Sequence, residues 1–384
     1  MASSRRAEAA AERTLLRRRL ASQHLAAPLS GSPLDLVRAM GAVQAQDYPG
    51  GLWGIGLRLD SATEADVERA IGDATLVRTW PMRRTLHIVD GEDVRWMLKL
   101  LAPRQLGLSA GRHRQLGLAE GDFARAGRIL ARALRGGRRL TRAAAYDALR
   151  RGGVAPEGQR GIHVLADLAQ QGLICFGPRE RKQPTFVLLE EWVPPAAEPS
   201  RDEALATLAA RYFGGHGPAT LQDFVWWTGL RVAEARRAIE AAGARLVDQR
   251  HGESTWYASA EAPPPAPARP AKAALLPPWD ESLVAYRDRS FATRRLEERD
   301  PNGLALIGKP VVMVGGTVRG AWRRELRPQA VRVTLDLWSA LTATERRAVQ
   351  KAASRYGRFL EREVEVVGLE ESKRRGGSKA LRGQ

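Results

Sequence analysis

One order of predicted elements occurs twice and constrains the fold of this 384-residue chain more than any other feature. Over residues 123–189, apolar spacing predicts three helices, the second begun by Thr141, and then two strands joined by a polar turn. Residues 202–258 repeat that order, with Thr220 as a helix N-cap and a turn at Gly229. Two units of the same order in one chain indicate an internal structural repeat.

Three helices followed by a hairpin is the order of a winged-helix domain, which binds DNA in many proteins and other proteins in some. The charge favours DNA, because 61 Lys and Arg against 43 Asp and Glu give a formal net charge of +18. Arginine suits phosphate contact through its planar, permanently charged guanidinium. A high-GC genome explains much of the preference for arginine over lysine, but it does not explain the net excess of positive charge.

The whole chain is therefore predicted to be α+β, with tandem winged-helix domains and a C-terminal β-barrel-like domain. In that last domain a hairpin is expected to turn at Gly315-Gly316, and one amphipathic helix is expected to begin at Thr342. The predicted divisions are an N-terminal winged-helix-like domain at 1–115, winged-helix domains at 116–198 and 199–261, a Pro/Ala linker at 262–271, the β-rich domain at 272–370 and a basic tail at 371–384.

Several functional classes are disfavoured by what the sequence lacks. Cys175 is the only cysteine and the six histidines are scattered, so no disulfide framework, no metal site and no cofactor are predicted. No Gly-x-Ser-x-Gly, P-loop or dinucleotide-binding motif is present. The N-terminus lacks the apolar core of a signal peptide and no apolar run reaches membrane-spanning length, which predicts a cytoplasmic, nucleoid-associated protein without membrane contact.

A pair of amides, Gln44 and Gln46, stands in an otherwise apolar sequence between Gly41 and Pro49. Residues two apart share a face in an extended backbone, so both amides would point the same way there. A pair of amides can hold a water molecule and the edge of a base, because each donates and accepts hydrogen bonds. The residue pattern alone favours a simpler interpretation, in which one glutamine caps a helix and the other is solvated.

A second polar cluster follows at 78–87 and alternates bulky, cationic and hydroxyl side chains before a strand-like LHIV. Arg, Thr and Trp suit phosphate contact and base stacking, and an edge strand with a solvated basic face fits the same pattern. The DNA-binding candidates in this cluster are Arg78, Trp80, Arg83, Arg84, Thr85 and His87, the last of which is also interpretable as a core histidine.

Further DNA-binding candidates lie towards the C-terminus. Trp279 and Asp280, with Arg287 and Arg289 downstream, form an acid–base cluster that fits either a structural ion-pair network or a DNA groove. Two more phosphate-contact candidates, Arg323 and Arg324, follow the predicted Gly-Gly turn.

Four segments carry a family resemblance: GAVQAQD, VRTWPMRRTLH, LLPPWDESLVAYRDR and GTVRGAWRRE. In this order they resemble the winged-helix family that includes the AlkZ-type interstrand-crosslink repair DNA glycosylases, over roughly residues 14–370. The resemblance implies a positively charged channel for duplex DNA and hydrolysis of the N-glycosidic bond of cationic alkylated purines. It also implies that Gln44 and Gln46 match the catalytic Gln-x-Gln motif, which replaces the simpler interpretation of the two amides.

One residue departs from the family pattern, because Arg84 stands where a small residue, usually glycine, is expected. An extra cation there bears on lesion preference and on the local backbone geometry. The predicted partner is double-stranded DNA with alkylated bases, bound by a monomer, since the sequence shows no heptad run of a dimerisation helix. The alternatives are a non-enzymatic winged-helix regulator and a scaffold for protein partners. The sequence leaves the lesion, and a role in self-resistance or in general repair, open.

Overall fold

A computed structural model describes residues 2–262, 273–293 and 304–369. The predicted linker lies outside these residues except for Ala262, and the predicted basic tail lies wholly outside them. Helix α1, Ala2–Ser22, comes first in the chain and is followed by three units of similar element order. None of the helices in these three ranges is long and apolar enough to cross a membrane.

The first unit places a short strand between two helices and ends in a hairpin. Its elements are α2 (Pro33–Met40), β1 (Val43–Gln44), α3 (Tyr48–Gly56), α4 (Glu64–Gly72), β2 (Leu76–Met82) and β3 (Thr85–Asp90). The short strand β1 pairs antiparallel with β3, the second strand of the hairpin. A long helix, α5 (Val94–Gln115), leads to the second unit.

The second and third units repeat this order. The second comprises α6 (Glu120–Leu134), β4 (Leu140–Thr141), α7 (Arg142–Arg151), α8 (Arg160–Gln170), β5 (Ile174–Glu180), β6 (Gln183–Leu188) and the short α9 (Leu189–Trp192). The third comprises α10 (Arg201–His216), β7 (Ala219–Thr220), α11 (Leu221–Thr228), α12 (Val232–Ala242), β8 (Leu246–His251) and β9 (Ser254–Ser259). In both units the short strand again pairs with the second hairpin strand. The predicted repeat of element order is therefore present, and it extends to the first unit.

Local signals in the sequence account for the helix ends. The Thr141 hydroxyl accepts a hydrogen bond from the Ala144 N–H, and Thr220 and Thr342 form capping boxes with Asp223 and Glu345. Gly229 ends α11 in the left-handed conformation, with φ of 72°, which glycine adopts without steric cost. The predicted helix starts and the predicted turn are confirmed.

The C-terminal part holds a curled, half-barrel sheet. Its elements are β10 (Ala273–Leu276), α13 (Glu281–Val284), α14 (Ser290–Thr293), α15 (Leu304–Ile307), β11 (Val311–Val314), β12 (Thr317–Leu326), β13 (Ala330–Leu337), α16 (Ala343–Phe359) and β14 (Glu363–Val367). The strand order is β10-β11-β12-β13-β14, and the predicted Gly315-Gly316 turn joins β11 to β12 with positive φ at both glycines. Within the described residues β10 and β14 are edge strands that do not pair with each other, so the sheet is open.

The hydrophobic core joins the first unit to the C-terminal sheet. Trp53 of α3 packs on Tyr356 and Phe359 of α16, with ring centroids 4.9 and 5.1 Å apart, and its indole N–H donates to the Leu275 carbonyl at 2.6 Å. The sheets of the first two units also merge into one six-stranded sheet through β2 and β5. The packing brings residues from opposite ends of the chain to the segment that carries Gln44.

Candidate active site

Gln44 and Gln46 lie on a short segment between two helices, Gln44 in strand β1 and Gln46 in the bend that follows it. Gly41 ends α2 with φ of 76°, and the Asp47 carboxylate caps α3 by accepting from the Gly50 N–H. Between these points Gln44 pairs with His87 of β3, and the Ala45 N–H donates to the Leu86 carbonyl at 2.7 Å. Asp47, rather than either glutamine, serves as the helix cap, and the backbone is extended at Gln44 but bends at Gln46.

The two amides lie in different environments. The Gln44 side chain is buried, at 6% exposure, and its Oε1 accepts from Arg83 Nη2 at 3.4 Å. Gln46 is exposed, and its Oε1 accepts from the Leu86 N–H at 3.1 Å. Both carbonyl oxygens are thus oriented by the hairpin of β2 and β3, and each keeps a second lone pair for another donor.

Glu281, a residue that the sequence analysis did not select, lies directly against this segment. Its Oε1 accepts from the Gln44 backbone N–H at 2.7 Å, and its Oε2 accepts from the Trp227 indole N–H at 3.0 Å. His216 Nε2 is 3.3 Å from the same Oε2. Burial raises the pKa of this carboxyl, but the hydrogen bond and charge of His216, with the charges of His87 and Arg83, outweigh it and bring the pKa to about 2. A single acid in the apolar stretch 281–286 was the only signal in the sequence.

His87 is a core residue rather than a DNA contact, which corrects one of the two interpretations drawn from the sequence. Its side chain is fully buried, its Nδ1 lies 3.0 Å from the Thr85 carbonyl, and its Nε2 lies 3.4 Å from Arg83 Nη2. Burial, and next the charge of Arg83, lower its pKa to about 4. The ring is therefore neutral near pH 7, with Nδ1–H donating to the carbonyl and Nε2 accepting from Arg83.

The turn between β2 and β3 places Arg83 and Arg84 in the left-handed region, with φ of 50° and 55°. Positive φ at both central residues defines a type I′ hairpin turn, which favours Asn and Gly. Arg84 Nη2 lies 3.1 Å from His163 Nδ1 of α8, and the Thr85 hydroxyl donates to the Met82 carbonyl at 3.4 Å. The geometry explains why a small residue is expected at position 84.

Replacing Arg84 by glycine is expected to raise the free energy of unfolding by about 1 kcal/mol, because glycine removes the cost of a left-handed residue. Urea unfolding at pH 7 measures the change, and Arg181→Gly, at a left-handed arginine in the turn between β5 and β6, is the matched control with φ of 56°. A loss of stability in Arg84→Gly alone would show that the contact with His163 outweighs the backbone strain.

Arg78 and Trp80 are buried, so their predicted contact with DNA is wrong for this structure. Arg78 Nε and Nη2 both donate to the Ala45 carbonyl, at 3.1 and 2.9 Å, and its guanidinium lies over the Phe176 ring. Burial lowers the Arg78 pKa to about 10, which leaves the group charged at neutral pH. Trp80, 5% exposed, packs on the same ring at 5.0 Å. Arg78 instead fixes the peptide between the two glutamines.

Asp280 and Arg289 are also buried. For these two residues the structure favours the ion-pair network over the DNA groove, the two interpretations that the sequence left open. Asp280 makes a two-pronged ion pair with Arg58, at 2.8 and 2.9 Å, and both side chains are fully buried. Arg289 is 5% exposed and donates to the Leu283 and Arg287 carbonyls. Both side chains are therefore bound to protein groups in the interior.

The other candidates keep some exposure. Trp279 is partly exposed, has φ of 56°, and donates its backbone N–H to the Ile307 carbonyl at 2.6 Å. Arg287 and Arg323 are exposed, and Arg287 Nη1 lies 3.3 Å from Gln222 Oε1. Arg324 is partly exposed and donates to the Tyr356 hydroxyl. The structure therefore groups Arg83 and His87 with the glutamines and leaves Arg323 and Arg324 on a separate sheet.

In the described ranges, no group of three or more His, Cys, Asp or Glu side chains is placed to hold a metal ion. The groups around Gln44 are amides, the buried carboxylate of Glu281, the partly buried guanidinium of Arg83 and the buried imidazole of His87. Such groups orient water and stabilise charge, but none is a strong base held ready at the surface.

Comparisons with known proteins agree on one family. The model for "DNA glycosylase AlkZ-like" proteins matches residues 37–359. An interstrand DNA cross-link repair glycosylase from Streptomyces sahachiroi is 26% identical over 369 residues, which cover 88% of this chain and 94% of that protein. The solved structure of the Streptomyces sahachiroi DNA glycosylase AlkZ matches with a TM-score of 0.72 at 25% identity, covering 92% of this chain and 99% of that one. The chain belongs to the AlkZ-like family of DNA glycosylases.

Proposed function

We propose that this protein is a monofunctional DNA glycosylase that hydrolyses the N-glycosidic bond of cationic alkylated purines, N7 or N3 adducts, in DNA repair. The observation that carries the proposal is that Gln44 and Gln46, two residues apart between α2 and α3, both have their amide oxygens bound by the hairpin of β2 and β3. The similar protein from Streptomyces sahachiroi is named for interstrand cross-link repair, so crosslinked purines belong to the substrates to test.

The weak acid–base character of the site suits this reaction. An alkylated purine already carries a positive charge and is a good leaving group, so bond cleavage through an oxocarbenium-like sugar needs little acid catalysis. Gln44 and Gln46 then orient a water molecule towards the anomeric carbon through the remaining lone pairs of their carbonyl oxygens. Neutral, undamaged purines would not be cleaved, since the site offers no strong acid to protonate them.

A hydrolytic rather than a lyase reaction is favoured because no lysine lies in the sequence around the two glutamines. The sequence has no lysine before Lys99, so none lies on the elements that carry the glutamines. A bifunctional glycosylase needs an amine that forms a Schiff base with the sugar. The protein would therefore release the base and leave an abasic site.

DNA binding is proposed for the three repeated units, interpreted as winged helices in one monomeric chain. Their common element order and the same strand pairing in each support this interpretation.

The strongest candidates for phosphate contact are the exposed Arg287 and Arg323 of the C-terminal part. Weaker candidates for DNA contact are the partly exposed residues Arg84, Thr85, Trp279 and Arg324. The predicted domain boundaries and the cytoplasmic, nucleoid-associated location remain predictions.

A base-excision assay tests the function. Duplex DNA carrying a single N7-alkylguanine is incubated with excess wild-type protein, and with Gln44→Ala/Gln46→Ala. We expect excision by the wild type, and a single-turnover rate about 10- to 100-fold lower in the double variant, because amides contribute by positioning water and not by proton abstraction.

The matched control is Gln115→Ala/Gln350→Ala, which removes two exposed glutamines on α5 and α16 and should leave the rate unchanged. Unchanged excision by Gln44→Ala/Gln46→Ala would contradict the catalytic assignment. Tight, salt-sensitive DNA binding with no excision by the wild type would favour a non-enzymatic DNA-binding protein, and weak salt dependence would favour a scaffold for protein partners.

A further inference from the structure

We propose that Glu281 is the positioning residue of the site, holding the backbone of Gln44 while Arg83 holds its side chain. The inference rests on the proposed function, in which Gln44 orients the attacking water. Glu281 contacts no substrate in this scheme and acts only through Gln44.

Two side chains of opposite charge bind Gln44. The Glu281 carboxylate accepts from the Gln44 backbone N–H at 2.7 Å, and the Arg83 guanidinium donates to Gln44 Oε1 at 3.4 Å. A hydrogen bond to an ionised acceptor is shorter and stronger than one between neutral groups. Gln44 is thus fixed at its main chain by an anion and at its amide by a cation.

Trp227 and His216 orient the Glu281 carboxylate through its second oxygen, Oε2. Trp227 Nε1 donates to Glu281 Oε2 at 3.0 Å, and His216 Nε2 lies 3.3 Å from that atom. The side chains of Glu281, Trp227 and His216 are each no more than 1% exposed, so packing limits their alternative rotamers. Because both oxygens of the carboxylate accept from donors on separate elements, the carboxylate has little rotational freedom. The Gln44 N–H that it binds is held in place as a result.

The contact also joins residues that are more than half the chain apart. Glu281 is 237 residues from Gln44 and stands at the start of α13, after the C-terminal strand β10, whereas Trp227 belongs to the third unit. The geometry of Gln44 therefore depends on three separate parts of the chain being packed together. If Glu281 only stabilised the C-terminal part, its carboxylate would not need to bind the main chain of the first unit.

The experiment compares Glu281→Gln and Glu281→Asp with the wild type. In Glu281→Gln the amide oxygen can serve either Gln44 or Trp227, but the amide N–H₂ then faces a second donor, so one bond is lost. In Glu281→Asp the charge stays but the carboxylate is one methylene short of Gln44. We expect the single-turnover excision rate to fall about 10- to 100-fold in both, with the affinity for the lesion duplex unchanged. Hydrogen exchange at the Gln44 amide is expected to become at least about 10-fold faster, because the amide loses its ionised acceptor.

The control is Glu345→Gln, which removes a partly buried carboxylate that caps α16 and pairs with Arg319 at 2.9 Å. It should lower stability without changing the excision rate or the exchange at Gln44. Unchanged exchange at Gln44 in both Glu281 variants would overturn the positioning role, and so would an unchanged rate. Equal loss of rate in Glu345→Gln would overturn it as well, since general destabilisation would then explain the effect. Failure of the wild type to excise would overturn the proposed function, and the positioning role of Glu281 in that reaction with it.

Discussion

Replacing Asp280 by alanine is expected to lower the free energy of unfolding by about 3–5 kcal/mol, because it leaves the Arg58 guanidinium charged and unpaired in the interior. Both side chains of this pair are fully buried, and solvent cannot take over the role of the lost carboxylate. Urea unfolding at pH 7, with the midpoint and slope fitted together, measures the change.

The geometry explains why the loss should be large. Arg58 also donates to the Gly54 carbonyl at 2.8 Å and to Gln23 Oε1 at 3.1 Å, and neither neutral acceptor balances its charge. Asp280 in addition caps α13 through the Ser282 N–H at 2.9 Å. The variant therefore removes an ion pair and a helix cap together.

A surface ion pair provides the control for Asp280→Ala. Glu198 pairs with Lys99 at 2.6 Å, but both side chains are at least half exposed, so Glu198→Ala should cost at most about 1 kcal/mol. A cost below about 1 kcal/mol for Asp280→Ala would mean that water reaches Arg58. A fall in DNA affinity without any loss of stability would restore Asp280 as a DNA contact.

Local features of this chain were predictable because they depend on neighbouring residues. The helix caps at Thr141, Thr220 and Thr342 and the turn at Gly315-Gly316 follow from side chains within a few positions. The Arg84 departure correctly marked a turn with unusual backbone angles, because steric preference at positive φ is a property of a single residue.

The roles of individual arginines were not predictable, since exposure depends on contacts between distant segments. A net charge of +18 predicts nucleic-acid contact for the surface as a whole, yet it does not identify which cations reach the surface. Among the residues that the structure describes, five arginines are buried and bind protein groups instead, namely Arg19, Arg58, Arg78, Arg289 and Arg319. Glu281 was missed for the same reason, because its partner Gln44 is 237 positions away.

The buried groups around Gln44 should also make the protein lose stability as the pH falls below about 6.5, the ordinary pKa of histidine. His87 has a pKa of about 4 in the folded protein, so between 6.5 and 4 the unfolded chain binds a proton that the folded chain does not. Glu281 has a pKa of about 2, so between 4.5 and 2 the unfolded chain again binds the extra proton. Both shifts therefore favour unfolding in acid, one after the other.

The His87 shift alone predicts a loss of about 3 kcal/mol between pH 6.5 and 4, since each unit of pKa corresponds to about 1.4 kcal/mol. Urea unfolding at pH 7, 5.5 and 4.5 measures the slope, and His87→Gln should flatten it because an amide does not titrate. His24→Gln is the control: burial, and next the charge of Arg58, lower the His24 pKa too, but its partly exposed ring should contribute less. Identical pH curves for His87→Gln and the wild type would show that His87 titrates normally, which requires water to reach the ring beside Arg83 and Gln44.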